Sequence, residues 1–233
     1  MKHKIHNKFG LSCFFAVAVL GLGSIQAAVV VSPTRLSADS DISINGTLVS
    51  AVNFSGFAQT VNGVTFSNVA ALTGATINTG AFDNGGGAPF NTLSADYQNL
   101  VTGAAFNGTN PFDITLSGLT VNQTYELQVF AHDTRAFAGN NDSDRTSIIE
   151  LNGTAATLDL NGNAGQGGVG QFAIFEFVAT SDSQIFSVSP GPVNPGGTDV
   201  AQINAFQLRA VPEPSSTLLM GLGALTFALR RKR

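Results

Sequence analysis

The chain has 233 residues, of which 43% are hydrophobic and only 11% charged, with 26 glycines, one cysteine and no tryptophan. That length and apolar content suit one domain with a real core and exclude wholesale disorder; the lone Cys13 excludes a disulfide framework and a cysteine-based zinc site. Charge is segregated. Lys2, Lys4 and Lys8 open the chain and Arg230, Arg231, Lys232 and Arg233 close it, whereas Ala28 to Val211 holds four arginines (Arg35, Arg135, Arg145, Arg209), no lysine, and every acidic residue but Glu213. An acidic body repels phosphate backbones, which argues against nucleic acid as a partner.

Residues 1–27 read as a secretory signal peptide. A basic stretch to Lys8 precedes the apolar run Leu11–Leu22, and small residues follow at Ala27 and Ala28. A charged start, a short apolar centre and a small-residue exit are what export and signal peptidase require, with cleavage expected after Ala27. Cys13 stands at the front of the run rather than after it, which disfavours lipid attachment. The alternative, a retained anchor, meets a run short for a membrane span.

The body, residues 28–209, predicts one all-β domain. Short apolar or alternating runs are broken by Gly, Asn and Pro. Ile42-Ser-Ile44, Asn45-Gly46 and Thr47-Leu48-Val49 predict a hairpin, because Asn-Gly suits a two-residue turn. Further strands are expected over Val61–Phe66, Ile114–Leu116, Tyr125–His132, Ser147–Leu151, Thr154–Leu160, Phe172–Ala179, Gln184–Ser189 and Gln202–Arg209. Tyr125, Leu127, Val129 and Ala131 should share one face, and Ile203, Ala205 and Gln207 another. No stretch shows a sustained helical period with caps. Some ten short strands point to a β-sandwich of jelly-roll type, its core supplied by phenylalanines. Ala210–Ser216 reads as a linker.

Within the body, Phe112–Arg135, with Gly118-Leu-Thr120, a turn, Tyr125, an alternating strand and Asp133, and the late Asn204–Leu208 strand resemble units of bacterial surface sandwiches and of galactose-binding-like carbohydrate modules. The resemblance implies the sandwich and not a sugar site.

Groupings that suggest chemistry are few. His132-Asp133 with Ser143, Asp144 and Arg145 is the one catalytic-looking cluster, and His132 is the one histidine of the body. Adjacent strand residues point to opposite faces, so Asp133 is badly placed to orient His132, and no nucleophile elbow accompanies them. Asp133, Asp142 and Asp144, with Asn140 and Asn141, offer hard oxygen ligands for calcium; the spacing lacks an EF-hand's glycine and final glutamate, and a solvated turn is the alternative. Gly165–Gly170 matches Gly-x-Gly-x-x-Gly, but the run after it, Gln171–Phe177, is strand-like and not the helix a dinucleotide site needs. Tyr97, Phe90, Phe137 and Arg135 are loop candidates for sugar stacking, with packing as the alternative.

The C-terminus is the sharpest signal. Val211-Pro212-Glu213-Pro214 leads into fifteen apolar or small residues, Ser215–Leu229, and then the basic tail Arg230, Arg231, Lys232, Arg233. As a helix the run reaches about 22 Å, a thin transmembrane span with its basic tail on the cytoplasmic side; a buried C-terminal helix is the alternative. Triplet, short apolar run and basic tail resemble the PEP-CTERM sorting signal of Gram-negative bacteria. The resemblance implies recognition by the membrane enzyme exosortase, cleavage near the triplet, and a destination at the cell surface or in an exopolysaccharide matrix. The expectation is a surface protein with a structural or adhesive role and no enzymatic activity, stabilised at most by calcium. A carbohydrate-binding module is the alternative, and a hydrolase using His132 the third reading.

Overall fold

The computed structural model describes residues 28–80, 88–133, 145–161, 168–192 and 200–212. The signal peptide and the segment expected to span the membrane lie outside them. Among the described residues no helix is long and apolar enough to cross a membrane.

The chain forms β1 (Val29–Arg35), β2 (Thr47–Asn53), β3 (Gln59–Val61), β4 (Val64–Asn68), β5 (Thr76–Asn78), α1 (Ala95–Thr102), β6 (Ala104–Phe106) and β7 (Phe112–Ser117). There follow β8 (Thr124–Ala131), β9 (Thr146–Leu151), β10 (Thr154–Asp159), β11 (Gln171–Val178), β12 (Ser183–Pro190), β13 (Gln202–Ile203) and β14 (Ala205–Val211). A seven-stranded sheet runs β1-β11-β8-β14-β2-β4-β3, a four-stranded sheet β10-β9-β12-β7, and a three-stranded sheet β13-β6-β5. Every pair is antiparallel except β2 with β4. The predominance of β-structure agrees with the sequence.

Period-2 alternation puts one apolar face of each main strand inward. Phe112, Ile114 and Leu116 of β7, Ile149 and Leu151 of β9, and Phe186 and Val188 of β12 share one core with Tyr125, Leu127, Val129 and Ala131 of β8, Phe175 and Phe177 of β11, and Phe206 and Leu208 of β14. The two larger sheets thus enclose that core between them. Phe186 meets Phe206 across it, edge to face, with centroids 5.5 Å apart.

Several expectations need correction. Ile42–Ile44 forms no strand and Asn45-Gly46 no hairpin; β2 pairs with β14 and β4 instead. Val61–Phe66 is not one strand but the end of β3, the turn Asn62-Gly63 and the start of β4. Both turn residues have positive φ (48° and 75°), as at Asn152-Gly153 (52° and 74°) between β9 and β10, which is the backbone of a two-residue hairpin turn. At Asn45-Gly46 only the glycine does, at 69°. A Cβ there would sit 2.2 Å from the Ala210 carbonyl oxygen, so this glycine permits close approach to β14. Gln202–Arg209 breaks at Asn204, and Ile203 and Ala205 enter different cores instead of sharing a face. β14 continues through Ala210 and Val211, so the expected linker begins later. β1, β5 and β6 are strands that the alternation rule passes over. In β1, an edge strand, Pro33 sits where the register with β11 shifts between Val31 and Thr34, a position where its missing N–H costs no ladder bond.

A helix is also present. Ser94 caps α1, its Oγ accepting from the Tyr97 N–H at 3.1 Å, and Tyr97, Leu100 and Val101 form the buried face. That i, i+3, i+4 spacing covers little more than a turn, too short to stand out as a period. These side chains pack with Leu36, Ile42, Phe66, Phe90 and Leu93 against Phe130 and Ala205 on the outer face of the large sheet. The large sheet is therefore covered on both sides. Ser94→Ala removes the cap and should cost about 1 kcal/mol, read as a lower urea midpoint at unchanged m-value.

The outer layer explains the polar residues that alternation would turn to solvent. Glu126, Gln128, Gln207 and Arg209 are buried on β8 and β14. They hold the segment that was expected to be a strand. Gln128 donates to the Asp41 carbonyl (2.6 Å) and accepts from the Ser43 N–H (3.0 Å). Gln207 donates to the Ser43 carbonyl (3.0 Å) and to Gln128 Oε1 (2.7 Å). Arg209 donates to the carbonyls of Asn45 (2.7 Å), Gly46 (3.0 Å) and Ile44 (3.3 Å). Side chains of the sheet thus satisfy backbone groups of residues 41–46 that no strand partner meets.

Register sorts the two ends of the sandwich. Thr124 of β8 and Val211 of β14 pair at one end, close to the last residue of β11, and Ala28 precedes β1 near it. Ala131, Gln171, Arg35, Ala205 and Asn53 lie at the other. Connections at the first end are short: two residues between β9 and β10, four between β11 and β12, six between β7 and β8. At the far end, fourteen residues join β8 to β9 and eleven each join β10 to β11 and β12 to β13.

Candidate functional site

Long connections on a rigid sandwich are where recognition residues concentrate, so the far rim is the candidate site. Its described part is built around His132, the first residue after β8. The Asn204 side chain accepts from the His132 N–H (2.7 Å) and donates to the carbonyls of Val101 (2.7 Å) and Gly103 (2.9 Å), joining β8 to the end of α1. Gln202 donates to the His132 carbonyl at 2.7 Å. The imidazole is fully buried and stacks on Phe90, with centroids 4.7 Å apart and planes 15° off parallel.

The Gly170 N–H donates to His132 Nδ1 at 3.1 Å. That bond places the proton of the neutral ring on Nε2, which has no hydrogen-bond partner among the described residues. Burial lowers the His132 pKa to about 3, since the charged ring would lose its water with no carboxylate to replace it. Gly170 is required here: a Cβ would lie 1.9 Å from the Ala131 carbonyl oxygen and 2.7 Å from His132 Cα.

Asp133 points elsewhere. It is buried and pairs with Arg145 at 3.5 Å, and its N–H donates to the Leu160 carbonyl at 2.8 Å. Arg145 returns through its own carbonyl, which accepts from the Leu160 N–H at 2.9 Å. Asp133 and Arg145 therefore close the base of the β8–β9 connection and fasten it to the end of β10. The cluster read from the sequence is divided: the pair concerns Asp133 and Arg145, while Ser143, Asp142 and Asp144 lie outside the described residues. Among the described residues no three His, Cys, Asp or Glu side chains are grouped to hold a metal.

The aromatics expected to face a sugar fare differently. Phe90 and Tyr97 are buried in the outer core, so neither offers a face to a ligand. The Tyr97 hydroxyl lies 3.5 Å from Asp41 Oδ2, and burial with that carboxylate pushes its pKa well above the usual phenol range. Arg135 and Phe137 lie outside the described residues. Among the described residues the exposed large aromatic is Phe57, at 55%, just after β2 at the far end. Its Ser55-Gly56 neighbours read as a plain turn, and no sequence signal distinguishes it from a core phenylalanine. The strand-like reading after Gly165–Gly170 agrees with β11, which starts at Gln171 with no helix N-terminus to hold a phosphate.

The rim sets a pH dependence. Unfolded, His132 gains its proton near pH 6.5; folded, it stays neutral until about pH 3. Its contribution to stability is whole above pH 6.5 and is lost as pH falls through the interval below. The slope reaches about 1.4 kcal/mol per pH unit from this one group. His132→Gln should flatten the dependence of unfolding free energy between about pH 6.5 and 5, above the carboxylate range. Equal slopes in both proteins would contradict the buried neutral imidazole.

At the opposite end the chain leaves the sandwich. Val211 closes β14 and Pro212 follows it, exposed. Residues 210–233 match the PEP-CTERM protein-sorting motif. The chain carries an exosortase sorting signal. No curated protein matches it significantly. Among solved structures it is similar to the ANX2 ectodomain from Arabidopsis thaliana, at 15% identity and a TM-score of 0.52 over 73% of this chain and 54% of that one. A structure of the plant receptor-like kinase ANX2 gives 16%, 0.51, 72% and 49%. The chain spans about half the length of those chains, and at such identity the likeness is one of fold: the body resembles extracellular β-rich ectodomains. The PEP-CTERM motif marks the protein for export.

Proposed function

We propose that this is a surface or exopolysaccharide-matrix protein with a structural or adhesive role, delivered as a folded sandwich and released or anchored by exosortase at Pro212-Glu213-Pro214. The observation that carries the reading is the position of the motif. It starts at residue 210, in the last two residues of β14, so the sorting signal follows the folded body directly. Signal peptidase removes residues 1–27, and residues 215–229 hold the chain in the inner membrane until processing, with Arg230, Arg231, Lys232 and Arg233 on the cytoplasmic side. The strand order supports a jelly roll. Numbering β2, β7 to β12 and β14 from one to eight, the sheets run 1-8-3-6 and 2-7-4-5, the order of two interlocked Greek keys.

A non-enzymatic role fits the far rim, where His132 is buried, its Nδ1 is occupied by a backbone N–H, and its ring stays neutral at neutral pH. A group so placed neither reaches a substrate nor takes a proton from one. Calcium is the one ion proposed, held by Asp142 and Asp144 with Asp133; since Asp133 faces Arg145, a calcium site would have to compete with that pair. Calcium should raise the melting temperature and chelator reverse the rise; an unchanged melt in both removes the ion from the account. Carbohydrate binding is the second reading, favoured by the exposed Phe57 at the far rim. The structural reading predicts no saturable binding on a glycan array, and a saturable signal lost in Phe57→Ala supports the second reading. For sorting, the test is replacement of Pro212, Glu213 and Pro214 by alanine. The variant should remain with the membrane while the natural protein reaches the surface fraction; identical distributions would contradict exosortase sorting.

A further inference from the structure

We propose that Ile44, Leu48, Val49 and Val121 form a seat against the bilayer, so that the sandwich rests on the lipid surface with its far rim pointing outward. The inference rests on the reading of residues 215–229 as the anchor. Ile44 is 65% exposed, Val121 50%, and Leu48 and Val49 are exposed beside them. All belong to the end from which the C-terminal segment departs. Leu48 pairs with Arg209 of β14, whose guanidinium donates to the Ile44 carbonyl. Gly46 lies so close to β14 that a Cβ would be 3.0 Å from Val211 Cα. From the other side Gln123, two residues after Val121, donates to the Val211 carbonyl at 2.6 Å. The apolar side chains therefore flank the last residues of β14 on both sides.

Chain length decides what can cover them. Only Glu213, Pro214, Ser215, Ser216 and Thr217 separate Pro212 from the apolar residues that start at Leu218. Pro212 to Leu218 is six residue steps, which span at most about 20 Å when fully extended. The headgroup layer on one side of a bilayer takes about 5–7 Å of that. The end of β14 is thus held within roughly 15 Å of the lipid surface, with exposed apolar side chains on either side of it. Amphipathic surfaces kept this close to a bilayer bury their apolar groups at the headgroup boundary. Electrostatics does not supply the attraction: the body is acidic and has no lysine, and anionic headgroups attract basic clusters. The contact is therefore apolar and should resist salt.

The absence of tryptophan makes the test direct. The full chain carrying Ile44→Trp or Val121→Trp is placed in phosphatidylcholine nanodiscs, with and without bromine near the headgroup end of the acyl chains. Ile185→Trp is the control, because Ile185 is 50% exposed but lies on the outer face of the four-stranded sheet. The expected result is blue-shifted emission at positions 44 and 121 and at least about twofold stronger quenching than at 185, unchanged in high salt. Equal quenching at all three positions in protein that has entered the discs overturns the seat and leaves the anchor standing. A blue shift at position 44 without quenching means another protein surface covers the patch, and overturns it too. So does quenching abolished by salt. A chain that stays out of the discs overturns the anchor and the seat together.

Discussion

Phe186→Ala is expected to lower the unfolding free energy by about 3–5 kcal/mol, the cost of a cavity at a fully buried aromatic. Phe186 is on β12 in the middle of the four-stranded sheet, pairs with Ile114 of β7 and Leu151 of β9, and faces Phe206 of the large sheet. It is where one sheet's side chain reaches the other's, so truncation opens a void that neither backbone can collapse to fill. A domain of ordinary stability has about 5–15 kcal/mol in total, so the variant should be partly unfolded at warm temperature. Denaturant unfolding checks this. Phe57→Ala, removing an exposed ring, should change the midpoint little, and similar losses for the two would mean that the sheets do not share a core.

Arg209→Met should cost about 3 kcal/mol. The substitution keeps an unbranched apolar stem but removes donors to three part-buried carbonyls, those of Ile44, Asn45 and Gly46, and because water reaches them in part, each loss lies near the low end of the roughly 1–3 kcal/mol for an unmade bond. Glu126 lies directly opposite in register on β8 and is buried. The reverse change is cheap. Glu126 Oε2 accepts from Asn45 at 3.2 Å while Oε1 has no partner among the described residues, so Glu126→Gln, which keeps an acceptor and the side-chain shape, should shift stability by under about 1 kcal/mol. Urea midpoints for the two variants measure the contrast. Hydrogen exchange at Ser43 and Asn45 localises it: Arg209→Met should speed exchange there before it does in β9 or β12.

The division between what the sequence disclosed and what it hid comes from these contacts. Inner faces were legible, because Tyr125, Leu127, Val129 and Ala131 alternate without interruption, as do Ile149 and Leu151 of β9 and Ala156 and Leu158 of β10. The second face of the large sheet was hidden. Glu126, Gln128, Gln207 and Arg209 have the polarity of solvent-facing positions, yet they are buried beneath residues 36–46, which use them as hydrogen-bond partners. The same coverage explains why Ile42-Ser-Ile44 imitates a strand: Ile42 packs into the outer core while Ile44 faces solvent. α1 was hidden by its brevity, although Ser94 with Tyr97, Leu100 and Val101 carries a cap and a face. At the far rim, the sequence put His132 beside Asp133 and the fold separated them. His132 is fixed by Gly170, Asn204 and Gln202, all distant in sequence, and no local pattern encodes such partners. The sorting motif needs no tertiary context, since its three parts are adjacent, and it was legible in full.

Terminal mass mapping of the protein recovered from each cell fraction tests export and sorting together. The expected outcome is a surface or extracellular species that begins at Ala28 and ends close to Pro212-Glu213-Pro214, with any longer species confined to the inner membrane. A single soluble cytosolic species running from Met1 to Arg233 would overturn both.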